Sequence, residues 1–185
     1  MRRRNSKFEL DTPHIFSAGR ERDAGTEFHA GGDLSKLGGY QARVVKAIAP
    51  LSAEQLNLRS APHLRSVGSL AAHVVGARAG WFNGLMGEDG PETIALIGWG
   101  RAGTPVPASA SELVGGLEAT WRMIEAALGR WTSADMEHVF NGERNGQAYS
   151  LARHWVIWHL MEHDLHHGGE LSLTLGMHGI AALDL

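Results

Sequence analysis

Three histidines at four-residue intervals, His159, His163 and His167, fall in one run, WHLMEHDLHHGGELSLTLG, with His166 beside the last of them. Residues four apart share a helical face, so two such imidazoles can point at a single ion. At about 100° per residue, His163 and His167 straddle the direction of Val156 and lie between Leu160 and Glu170, which turns both toward an apolar interior. His159 lies nearer the edge of that face, and His166 further round. A charged pair so placed would repel at low dielectric. Two neutral rings can instead share a divalent cation or be satisfied by hydrogen bonds to their neighbours.

Two ligands rarely hold an ion, so a third is expected from a facing helix. His73, within SVGSLAAHVVGARAGWF, is the candidate, on a face that also carries Leu70, Val74, Ala77 and Trp81. Gly80 and Gly84, further along, would leave open volume or permit close helix packing. Three neutral His ligands leave a coordination position for water or substrate, the arrangement of a catalytic rather than a structural site. The chain has 11 His and no Cys. Disulfides, thiolate nucleophiles and Cys-ligated zinc are therefore excluded.

The elements that must position these rings are legible from periodicity. The 185 residues have room for one ordinary domain. A 43% apolar, 20% charged composition with net charge −3 argues against disorder and against a nucleic-acid-binding surface. No stretch approaches the roughly 18 consecutive apolar residues of a membrane span, and the basic start lacks the apolar centre of a secretory signal, so the expected compartment is the cytoplasm.

Residues 1–31, with His14 and His29, read as an irregular leader, and 32–185 as the domain. The first helix is expected from Leu34 to Ile48, with Asp33 as N-cap and Pro50 beyond its end. A connector with one short turn follows. Ser66 then caps a helix reaching to about Met86 that carries His73. The segment 87–110 is rich in Gly and Pro, and loops of that length inside a compact domain are usually functional. Its Trp99 and Arg101 are candidates to close over a cofactor or substrate and pair with an anionic group.

Ser109 and Glu112 have capping-box spacing ahead of the apolar stripe Leu113, Leu117, Trp121, Ile124 and Leu128. Asn141-Gly142 and Asn145-Gly146 are turn signals compatible with a small hairpin or an irregular link. Ser150 is a possible cap for the last helix, which should end near Gly176. The expected fold is all-α: a four-helix bundle with long connections and little or no strand.

The two histidine-bearing runs together resemble the DinB/YfiT-like metal-binding four-helix bundles, and within them the DUF664-type members, over about 34–179. The resemblance implies a divalent metal, zinc or nickel, held by His73, His163 and His167. It also implies an S-transferase or isomerase that uses a low-molecular-weight thiol such as mycothiol or bacillithiol on a small electrophile. A metal-bound thiol loses its proton readily, which would supply the nucleophile a Cys-free chain lacks.

Glu170, one turn beyond His167, is the candidate for orienting a His N–H or handling a proton. Glu162 projects elsewhere. Trp81, Trp121, Trp155 and Trp158 are expected in the core. Ile157, Met161, Leu165 and Leu175 make the last helix apolar nearly all round, so it needs partners on two sides, and a homodimer is expected. A non-catalytic metal-binding or stress-responsive bundle, and a hydrolase using metal-activated water, are the alternatives.

Overall fold

The computed structural model describes residues 30–184 apart from 89, 102 and 145. Of the leader expected over residues 1–31, residues 1–29, with His14 and His29, lie outside the described residues, and residues 30–31 already belong to α1. In chain order the elements are α1 (Ala30–Ile48), α2 (Ala53–Leu56), α3 (Val67–Ala79), a π-helical segment (Gly80–Leu85), α4 (Pro91–Ile94), α5 (Ala110–Arg130), α6 (Ser133–Met136), β1 (Val139–Arg144), β2 (Gln147–Ala152) and α7 (Arg153–Met177). The four long helices form the bundle, with α3 packed against both α5 and α7 and α1 against α5. No helix among the described residues is long and apolar enough to cross a membrane.

Local chemistry accounts for most boundaries. The Ser66 side chain accepts from the Ser69 amide and starts α3, and Ser109 with Glu112 forms a reciprocal capping box at the head of α5. Each cap satisfies amides that a helix start leaves without partners. The helix expected to run from Ser66 to Met86 changes winding at Gly80, where α3 passes into the wider π segment. The widening falls in GWFNGL, where two glycines relax the local backbone constraint.

Three expected boundaries are corrected. Asp33 lies within α1, which begins at Ala30, instead of capping it. Ser150 does not cap the last helix, because it pairs with Asn141 in the β1–β2 ladder, and α7 begins at Arg153 behind Ala152. The hairpin closes beyond the Arg144–Gln147 pair, Gly146 taking the positive φ of 78° that its tight turn requires. At the other end α7 runs past Gly176 to Met177, and Gly179, at φ 69°, takes the left-handed position that stops it.

The core divides into two apolar clusters. One joins Ile48, Val67, Leu70, Val75, Leu113, Leu117, Leu171 and Leu175. The other joins Trp81, Phe82, Ile124, Leu128, Val156 and Leu160. Beside these clusters α3 and α7 bring polar side chains together: His73 and Arg78 from one helix, His163, Asp164 and His167 from the other. These groups must find partners among themselves or in a ligand.

Candidate metal centre

His73 projects from the middle of α3 and meets His163 and His167 from α7. The Nε2 atoms of His73 and His163 are 3.1 Å apart. Ring centroids are separated by 4.9 Å for His73–His163, 4.7 Å for His73–His167 and 4.4 Å for His163–His167. One ring nitrogen from each of the three lies within 4.8 Å of the others. Zinc bound to imidazole nitrogen at about 2.05 Å in a tetrahedron would hold its ligand nitrogens about 3.3 Å apart, close to the observed His73–His163 approach.

Two of the rings are held toward the neutral form a cation needs. Burial, then the Arg65 cation and the neighbouring His163 and His167, push His73 down to about 3. His167 is also lowered, chiefly by burial against the opposing pull of Glu170. Neutral imidazole is the ligating form. No fourth His, Asp or Glu among the described residues joins this group.

Carboxylates stand behind two of the rings. The Nδ1–H of His167 donates to Glu170 Oε2 at 2.7 Å, which leaves Nε2 for the cluster. His163 Nδ1 faces Asp164 Oδ1 at 3.8 Å. Both of those atoms are buried without a hydrogen-bond partner. Asp164 in turn accepts from Arg78, whose Nε and Nη2 both lie 2.8 Å from Oδ2. Arg78 is 1% exposed and also donates to Gln41 Oε1 at 2.7 Å. Burial alone would raise the Asp164 carboxyl, but the Arg78 guanidinium and the hydrogen bonds it donates hold it below the usual carboxylate range. The carboxylate hydrogen-bonded to His167 fixes that ring's orientation and tautomer.

Sequence reasoning selected Glu170 for that orienting position and missed Asp164 and Arg78. Their signal was the acid next to His163 in MEHDLHH and a lone Arg among the small and apolar residues of α3. Glu170 is half-exposed, its side chain retaining 45% of its accessible surface.

The long connection touches the site through its backbone. Gly100, at φ 70°, lies so close to α3 that a Cβ there would come within 2.3 Å of His73 Cα. A Cβ on Gly76 would lie 2.1 Å from the Trp99 carbonyl oxygen. Arg65 Nη1 donates to the Gly100 carbonyl at 2.6 Å and secures the crossing. The Trp99 ring packs between α3 and α5, against Val75 and over Gly116. Arg101 follows Gly100 on the same crossing, and its carbonyl accepts from the Thr104 hydroxyl. Close approach thus occurs at Gly76 and Gly100; Gly80 opens the π segment instead.

The remaining α7 histidines stand apart from the three-ring group. His159 stacks on Trp155 with ring centroids 5.0 Å apart and meets the edge of Trp81 at 5.3 Å. Burial lowers its pKa. His166 is exposed, 3.6 Å from Glu170. Glu162, also exposed, lies 3.8 Å from His159. Trp81 is buried and Trp155 half-buried, whereas Trp158, expected in the core, is 55% exposed.

The fold is shared with a DinB-like protein from Bacillus cereus, with a TM-score of 0.64 and 23% sequence identity over 84% of this chain and 96% of the other. No curated protein matches the sequence significantly. The family model of the DinB superfamily matches residues 38–171, a span that takes in all three clustered histidines and the helices that carry them. By that match the chain belongs to the DinB superfamily.

Proposed function

We propose that the chain is a divalent-metal-dependent enzyme, an S-transferase or isomerase that uses a low-molecular-weight thiol of the mycothiol or bacillithiol kind on a small electrophile. The observation that carries this reading is the convergence of three ring nitrogens, from two helices, within 4.8 Å. The absence of cysteine means that a sulfur nucleophile must come from outside the chain. Zinc and nickel both suit three imidazoles.

His73, His163 and His167 would hold the ion, while Asp164 and Glu170 keep the His163 and His167 rings turned toward it. A divalent cation on three neutral imidazoles supplies a Lewis-acidic open position at which a thiol ionises near neutral pH. Glu170 Oε2, half-exposed beside His167, is the oxygen proposed to take up a proton. Arg101 is proposed to meet an anionic group of thiol or substrate, on a crossing held in place by Trp99. We also propose that the chain works as a homodimer through the α7 face bearing Trp158, Leu173 and Met177, each more than half exposed.

The test is metal analysis of the purified protein, then cobalt substitution and titration with mycothiol and bacillithiol. The expected result is a stoichiometric cobalt site whose visible spectrum shifts on thiol addition, and loss of both in His163→Ala. Thiol-independent ester hydrolysis with an unmoved spectrum would replace the proposal with a hydrolase. A metal that only raises the melting temperature would leave a structural site.

A further inference from the structure

A cavity of about 310 Å³ lies between α1 and α7, and none of the three clustered histidines lines it. Lys36, Tyr40 and Arg43, at i, i+4 and i+7 of α1, form one side. Trp121 of α5 and Met161 and Leu165 of α7 form the apolar side. The floor is the buried Arg78–Asp164 pair, whose charges cancel.

The walls are held in place. Trp121 packs on α1 at Gly38, where a Cβ would already be 3.5 Å from the ring. Tyr40 donates its hydroxyl to the Asp164 carbonyl at 3.1 Å and occupies the space a side chain at Gly168 would need. Burial, then the Asp164 charge, push the Tyr40 phenol up to about 12, so it stays a donor. With the floor neutral, Lys36 and Arg43 leave the described rim positive beside an aromatic and aliphatic wall. Small-molecule sites are concave and mostly apolar, with a few polar groups that fix orientation, and start at about 300 Å³.

We propose that this cavity binds a small apolar organic carboxylate, its carbon skeleton against Trp121, Met161 and Leu165 and its anion between Lys36 and Arg43. The site is separate from the histidine cluster, since His163 turns Nε2 to His73 and only Nδ1 toward Asp164. It does not rest on the metal reading, although the two sites share Asp164 as a wall. One carboxylate oxygen meets Arg78 at the cavity floor and the other faces His163.

The test is calorimetric titration of the full chain, without added metal, with 2-naphthoate and with its neutral isostere 2-naphthamide. Saturable one-site binding of naphthoate is expected, with the amide, and naphthoate on Lys36→Gln/Arg43→Gln, each weaker by about tenfold or more. Binding to His73→Ala should stay within about twofold, because His73 does not line the cavity. Because Lys36 and Arg43 are exposed, their variants should fold, which far-UV circular dichroism checks. Failure to saturate, equal affinity for the amide, or affinity unmoved by the double variant overturns the proposal. Binding lost in His73→Ala would assign the anion to the histidine cluster instead.

Discussion

The Nε2 atoms of His73 and His163 stand 3.1 Å apart across 90 positions of sequence. Both rings are largely buried, and burial holds His73 in the neutral form that can present a lone pair to a cation. A third ring, His167, completes a group that one cation would satisfy better than the rings satisfy each other.

Metal loading should therefore stabilise the fold. At a free zinc or nickel concentration of about 100 Kd the stabilisation is about 2.7 kcal/mol. In a chain of this size that raises the melting temperature by about 5–10 °C. Differential scanning calorimetry of apo and loaded protein checks it, and His73→Ala and His163→Ala should abolish the shift.

Asp164→Asn should weaken metal binding by about tenfold to a hundredfold by releasing His163. It should also destabilise the chain by about 3–5 kcal/mol, because the buried Arg78 loses its counter-charge. Glu170→Gln removes a half-exposed carboxylate, so it should weaken the metal while changing stability by about 0.5 kcal/mol or less. Competition against a chromophoric chelator, paired with urea unfolding, separates the two effects.

The apo protein should lose stability on acidification. His73 titrates at about 3 when folded against 6.5 ordinarily, so between those values the unfolded chain binds the extra proton. Stability contributed by this ring is complete above pH 6.5 and falls as pH drops toward 3. Urea midpoints of apo wild type and His73→Phe from pH 7.5 to 5 test this. The wild-type midpoint should fall more steeply, and equal slopes would contradict the assignment.

Gly76→Ala and Gly100→Ala should each destabilise by about 1–3 kcal/mol, since either new Cβ drives the Trp99–Gly100 backbone off α3. Gly115→Ala, in α5 with nothing within 4 Å of its added Cβ, should stabilise by about 0.5–1 kcal/mol. Chemical denaturation of the three variants reads the sign directly.

If α7 forms the proposed dimer face, light scattering after gel filtration should give twice the 20.0 kDa chain mass. Trp158→Glu with Leu173→Glu, both exposed in the monomer, should then halve it without loss of helix. A monomeric wild type at micromolar concentration removes that proposal.

The sequence by itself determined the bundle and the three clustered rings. Four apolar periods, the caps at Ser66 and Ser109 and the i, i+4 pair at His163 and His167 are local properties, written in consecutive residues. Helix ends were less secure, because hairpin pairing claimed Ser150 and a later glycine stopped α7. Tertiary structure alone decided that Asp164 faces His163 while held by Arg78, that the Trp99–Gly100 backbone leans on His73, and that α1 and α7 enclose a cavity. Those relations depend on how far each helix is rotated and offset against its neighbours. No residue's own spacing encodes that, because it emerges only when both apolar clusters pack at once.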